Sequence, residues 1–393
     1  MKIKLGVVFG GETVEHEVSI ISALQAIKNL DKDKYEVIPI YISKDRIWYT
    51  GNMLLDIENY KDIDIIKRYA KKVTLFKKNG KFYLGNTSGL FRKEITDLDI
   101  VFPIVHGNNV EDGTLAGYFD TIGIPYVSSH VLGSALGQDK VVMKQVFKSA
   151  NIPVVDYIWF YDNDYLCNKD SILKDIDKLG YPVIVKPATL GSSVGISMAK
   201  TKKDIEECIE DAIKYDVKVV VEKAVSNLVE VNASVLGNYE YQKVSELEEV
   251  MGEDDILSYQ DKYLGNSKTK GSTKGMASTS RIIPARISNT LTNEIKANAK
   301  KVFKLLNLSG VCRIDYLIDS KTHKYYVNEP NTIPGSLAFY LWKESNLEYK
   351  DLLDEMIQIA IKDYKKRQKK VKSFETNILE GFNGSKGLKG TKK

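Results

Sequence analysis

A chain of 393 residues exceeds one ordinary hydrophobic core, so two or three domains are expected. Hydrophobic residues at 43% and charged residues at 28% mark a soluble globular protein, and no apolar run approaches the ~20 residues of a membrane helix. The net charge of +5 does not argue for nucleic-acid binding, because residues 362–393 alone hold 11 Lys and Arg against 3 Asp and Glu, which leaves the body slightly acidic.

The first apolar stretch, Leu5 to Phe9, runs straight into Gly10, Gly11 and Glu12 and is too short for a signal peptide. Cys167, Cys208 and Cys312 are odd in number and lack metal-site spacing, so they read as reduced thiols of a cytoplasmic protein. Residues 3–9 form a buried strand, followed by a helix with Val18, Ile21, Leu24, Ile27 and Leu30 near helical period. Strands at 36–42 and 98–105, a helix at 112–122 ended by Gly123 and a short strand at 124–127 give strand–helix–strand order. That order predicts a parallel sheet covered by helices.

A second unit, 136–227, is expected to hold a helix through Lys140 and Phe147, strands near 156–160, 182–187 and 218–223, and a helix near 203–214. A third, 228–370, holds strands near 228–236, 310–318 and 324–329 and helices near 289–306 and 347–366. Within it, residues 252–280 are polar and rich in Gly, Ser, Thr and Lys, a disordered stretch or a functional lid. Residues 371–393 lack helical period and read as a basic flexible tail.

Four stretches carry chemistry. In residues 310–335, two strands and a polar turn bring Asp315, Glu329 and Asn331 together, hard oxygen ligands of the kind Mg²⁺ takes when it also holds phosphates; the alternative is a surface hairpin with scattered acids. In residues 181–197, a strand delivers Lys186 to a loop containing Gly191, Ser192, Ser193 and Gly195, whose N–H groups can turn towards an anion, although a glycine-rich hairpin turn reads the same way. The Walker order is absent from it. Residues 7–19 place Glu15, His16 and Glu17 at a helix start, without GxGxxG, where acids are often only dipole-compensating. In residues 105–117, His106 and Gly107 end a strand, a position where a lone His is more often structural than catalytic.

These stretches occur in the order GGETVEHEVS, VHGNNVEDGTLAG, ALGQDK, VKPATLGSSVGIS, VEK, YQDKY and RID…NEPNTIPG. Taken together over residues 3–365, the chain resembles the D-alanine–D-alanine ligases of the ATP-grasp superfamily. The resemblance implies an α/β (α+β) fold of three domains, an N-terminal parallel-sheet domain at 1–135 and two domains that sandwich ATP. It also implies an acyl-phosphate mechanism, two Mg²⁺ ions with Mn²⁺ as a substitute, and a homodimer acting on small amino acids.

By the same resemblance, Lys140 and Lys186 hold ATP phosphates, with Ser193 in the adjoining loop. Glu222 and Lys223 meet the adenine, and Glu230 the ribose. Asp315, Glu329 and Asn331 take the metal, and Lys262 reaches the γ-phosphate. Arg313 and the Gly335 N–H stabilise the oxyanion. Glu15 takes the first substrate's ammonium group, with His106 beside it, and Ser192 and Tyr263 latch the 252–280 segment with Glu15. The chain departs from the family after NTIPG: the usual serine for the acceptor's carboxylate falls on Tyr340, with Ser336 as the other candidate. The phosphate lysines and metal ligands expected of an active enzyme are all present, which argues against a regulatory pseudoenzyme. A ligase with a different acceptor stays open.

Overall fold

The computed structural model describes residues 2–87, 93–191, 194–251, 281–371 and 373. Three sheets organise them. The first has seven strands in the order β6-β5-β4-β3-β2-β1-β7: β1 (Ile3–Gly10), β2 (Tyr35–Ile42), β3 (Trp48–Thr50), β4 (Lys71–Lys78), β5 (Lys81–Asn86), β6 (Glu94–Leu98) and β7 (Ile100–Pro103). The expected parallel pairing is present in β7-β1-β2, and the sheet is extended by antiparallel strands from β3 to β6. The cause is local. Asn79 and Gly80 both adopt positive φ, the geometry of a tight hairpin turn, and two residues cannot carry a parallel crossover. The strand expected at 124–127 is reduced to one bridge between Val101 and Tyr126.

Helices α1 (His16–Asn29), α2 (Ile63–Tyr69), α3 (Thr114–Ile122) and α4 (Val131–Gln138) belong to this first part of the chain. The second sheet is antiparallel, in the order β10-β9-β11-β8, built from β8 (Tyr157–Tyr161), β9 (Val183–Pro187), β10 (Ser197–Ala199) and β11 (Lys218–Lys223). Helices α6 (Asp162–Leu179) and α7 (Ile205–Ile213) bury Ile176, Ile205 and Ile209 in the same core as Val183, Val185 and Val221. Helix α5 (Lys140–Ser149) precedes this sheet in the chain and is capped by the Asp139 side chain, which accepts from the N–H groups of Val141 and Val142.

The third sheet is antiparallel, in the order β14-β13-β12-β15-β16: β12 (Leu228–Gly237), β13 (Gln242–Val250), β14 (Arg281–Ile282), β15 (Gly310–Asp319) and β16 (Tyr325–Asn331). Its two faces differ. Val231, Ala233, Leu247, Cys312, Ile314, Tyr316 and Val327 alternate onto the core shared with α5 and α8 (Asn289–Leu305). The opposite parity on β12, β13 and β15 puts Glu230, Asn232, Glu248, Arg313 and Asp315 in a cleft, and a bulge in β16 after Val327 turns Glu329 and Asn331 to the same side. The last helices are α9 (Phe339–Lys343) and α10 (Tyr349–Gln368). Helix α10 returns to the beginning of the molecule, where Tyr349, Leu352, Leu353 and Met356 join the core of the first sheet. No helix among the described residues is long and apolar enough to cross a membrane.

Candidate active site

The cleft lies where the three sheets approach one another, as two adjoining cavities that share Leu190, Gly191, Glu230, Asp315 and Glu329. Strand register assembles its acidic floor. Asp315 is paired with Glu329 and Arg313 with Asn331, so four functional side chains share one face. The Arg313 guanidinium grips Asp315 with two bonds of 2.7 and 2.8 Å, and the Asn331 amide donates to Asp315 at 3.1 Å. A β-bulge follows: Tyr316 pairs with Val327, leaving Asn328 as the extra residue, and its amide oxygen accepts from Lys186 at 3.1 Å.

Two buried lysines face this floor. Lys140 opens α5, with its Nζ 2.6 Å from the Leu190 carbonyl and 3.1 Å from Glu329. Lys186 on β9 donates to Glu222 at 2.7 Å, a reach set by register, because Val220 is its direct partner and Glu222 is the diagonal one. Burial works against the charge of Lys186, but Glu222 outweighs it and holds the ammonium above its usual range. Glu222 thus points into the protein beside Lys186. Lys223 donates to the Gly180 and Tyr181 carbonyls. Both residues, with Glu230, line the second cavity, whose walls include Ile184, Ile196, Met198 and Leu317.

The first sheet supplies the other wall. Glu15, at the start of α1, packs so closely that a Cβ on Gly107 or Gly191 would lie 3.2 or 3.3 Å from its Oε2. His106 is buried, and burial lowers its pKa. Its Nδ1 faces the Ile333 carbonyl at 2.7 Å and must donate, so Nε2 accepts from the Ser22 hydroxyl at 3.0 Å. The same hydroxyl accepts from the Ser336 N–H, and the Ser336 hydroxyl donates to Gln25. These bonds hold a turn in which Ser336, Leu337 and Ala338 all take left-handed φ, directly after Gly335. Gly335 and Tyr340 line the first cavity.

The structure therefore brings Glu15, His106, Lys140, Lys186, Glu222, Lys223, Glu230, Arg313, Asp315, Glu329, Asn331, Gly335 and Tyr340 to one cleft. Ser336 lies beside it, bound to α1. Ser192, Ser193, Lys262, Tyr263 and the 252–280 segment lie outside the described residues. Sequence reading passed over four residues. Glu111 accepts from the N–H groups of Ile333 and Gly107, inside a stretch already singled out. Lys144 follows Lys140 by one helical turn, a spacing that puts both on one face. Glu248 and Arg281 meet at the Tyr340 end, and no local motif announces them.

Two carboxylates and an amide on neighbouring strands are the hard-oxygen set of Mg²⁺ when phosphates complete its shell. With two carboxylates and one amide, the set suits an ion shared with a nucleotide. Two antiparallel sheets facing each other across lysines and carboxylates define an ATP-grasp enzyme. Residues 4–129 match the family described as D-ala D-ala ligase N-terminus, and residues 146–358 that described as D-ala D-ala ligase C-terminus. The D-alanine–D-alanine ligase of Thermosipho melanesiensis is 42% identical over 96% of this chain and 98% of that protein. That of Caldicellulosiruptor bescii is 39% identical over 94% and 97%. Among solved structures, the D-alanine-D-alanine ligase from Coxiella burnetii aligns with a TM-score of 0.77 at 28% identity, covering 94% of this chain and 96% of that one. The VanG D-Ala:D-Ser ligase from Enterococcus faecalis aligns with a TM-score of 0.75 at 29% identity over 92% and 100%. The chain belongs to the D-alanine–D-alanine ligase family.

Proposed function

We propose that this protein joins two molecules of D-alanine into D-alanyl-D-alanine, a peptidoglycan precursor, with one ATP converted to ADP and phosphate. The carboxylate of the first D-alanine takes the γ-phosphoryl group, the amine of the second attacks the acyl carbon, and phosphate leaves. What carries the reading is the meeting, in one cleft, of two buried lysines with Asp315, Glu329, Asn331 and Arg313.

The physical obstacle is repulsion between a carboxylate and a polyanionic phosphate chain. Lys140 and Lys186 offset it from the nucleotide side, and Glu222 and Asn328 aim the Lys186 ammonium. Asp315, Glu329 and Asn331 would hold Mg²⁺, one ion or two, which supplies charge neutralisation between the β- and γ-phosphates. Arg313 and the Gly335 N–H face the oxyanion that forms when the amine adds. Glu15 takes the first substrate's ammonium group, and His106, with both ring nitrogens engaged, shapes that pocket rather than exchanging protons. Glu230 meets the ribose, and the backbone near Glu222 and Lys223 the adenine. Aligning both substrates removes an entropic cost of up to ~7–11 kcal/mol. We further propose three domains, divided near residues 135 and 227, and a cytoplasmic homodimer; both follow the family.

A panel of D- and L-amino acids, read by phosphate release and product mass, tests the reading. Formation of D-alanyl-D-alanine as the main product supports it, and ATP turnover without that dipeptide overturns it. A second reading, D-alanine joined to a different acceptor, is favoured by Tyr340, and the same panel would return a mixed dipeptide.

A further inference from the structure

Both residues that the sequence offers for the acceptor's carboxylate are committed elsewhere. The Ser336 hydroxyl donates to Gln25 at 2.7 Å, and the Tyr340 hydroxyl donates to Glu248 at 2.9 Å. Burial, and then the Glu248 charge, push the Tyr340 phenol well above its ordinary pKa, so it stays protonated and keeps that bond.

What the Tyr340 ring does instead is carry a cation. The Arg281 guanidinium carbon lies 3.9 Å from the ring centroid, and Nη1 lies 3.4 Å from Glu248 Oε2. Stacking on a phenol fixes the plane of a guanidinium, and a carboxylate at its edge fixes the rotation in that plane. Glu248 is itself pinned, since its Oε1 also accepts from Asn232 at 2.9 Å. At 3.4 Å, the Glu248 contact fixes the rotation of the Arg281 guanidinium on its stacked face. Arg281 and Arg313 are both in the cavity wall with Gly335, but Arg313 is held bidentately by Asp315.

We infer that Arg281 binds the carboxylate of the acceptor amino acid, with the Tyr340 ring as its shelf and Glu248 as its anchor. The inference rests on the proposal that the acceptor is an α-amino acid. It accounts for a bulky aromatic side chain at the position where the resemblance implies a small hydroxyl, because the donor is then the arginine stacked on that side chain. A planar fork suits a carboxylate better than a single hydroxyl does, so recognition is kept while the residue changes.

The test is a cycle between Arg281 and the ligand's own carboxylate. Acceptor kcat/KM is measured with D-alanine and with D-alaninamide, which lacks the charge, in the wild type, Arg281→Ala and Arg281→Lys. Arg281→Ala should lose ten- to a hundredfold with D-alanine and less than threefold with D-alaninamide, with the first-site KM unmoved. Arg281→Lys should recover part of the loss. Tyr340→Ala, which removes the shelf, should narrow the preference for D-alanine over D-alaninamide in the same direction. Equal losses with both acceptors, or no loss with D-alanine, would overturn the assignment. Should Arg281→Ala fail to fold, Arg281→Gln supplies the same comparison. Dipeptide formation by the wild type is scored separately, so failure of the ligase reading is distinct from failure of this one.

Discussion

Lys144 and Glu222 face each other 3.0 Å apart with side chains 0% and 2% exposed, so neither charge has water to fall back on. Lys186 takes the other Glu222 oxygen. Burial alone would raise the Glu222 pKa, but the two ammonium groups overrule it and hold the carboxyl at about 2. Its contribution is therefore complete above pH ~4.5 and is lost as pH falls towards about 2.

The triad makes an asymmetric prediction. Glu222→Gln strands two lysines in the interior and should cost about 3–5 kcal/mol in urea unfolding. Lys144→Met keeps the Lys186 pair, removes one buried cation and should cost less than about 1.5 kcal/mol. Comparable losses in the two variants would show that Lys144 matters as much as the carboxylate.

Glu111 gives a pH signature. Burial, then the nearby Glu15 charge, raises it to about 7. A raised carboxyl stabilises the fold fully below its unfolded value and loses that contribution as pH climbs to about 7. The melting temperature of the wild type minus that of Glu111→Gln should therefore shrink between pH 5 and pH 8. A difference that is flat across this range would place the titration elsewhere.

Much of this was legible in the sequence. Two strands joined by a short polar turn made the convergence of Asp315, Glu329 and Asn331 legible, whereas the bulge at Asn328 that completes it has no signal in the sequence. Long strands and helices were readable from periodicity. The hairpins of β3–β6 were not, since short, Lys-rich, half-exposed strands have weak alternation. The partners of Tyr340 were also hidden. Glu248 and Arg281 reach it across β13 and β14, and such a contact is decided by which strands become neighbours.

Glu329→Gln should lower kcat by roughly a hundredfold or more while the melting temperature stays near that of the wild type. One anionic metal ligand is gone, so the Mg²⁺ concentration for half-maximal rate should also rise. An unchanged Mg²⁺ dependence would remove Glu329 from the metal site.

Glu15→Gln should raise the first-site KM roughly ten- to a hundredfold, the cost of a lost charge-assisted bond of about 1.5–3 kcal/mol. The acceptor KM should move little. A rise confined to the acceptor site would assign Glu15 to the other substrate.

The return of α10 to the first sheet has a consequence for how the molecule is made. Lys34 and Tyr35 both bond to Asp354, and Arg367 pairs with Asp120, so the first sheet is fastened by a segment synthesised much later. At ~5–20 residues per second, a ribosome needs on the order of ten to fifty seconds to travel from Leu98 to Tyr349. During that interval Leu5, Ile38 and their neighbours lack the side chains that complete their packing. The nascent first sheet is thus expected to remain incompletely packed over that interval, and stalled translation short of α10 should leave it sensitive to protease.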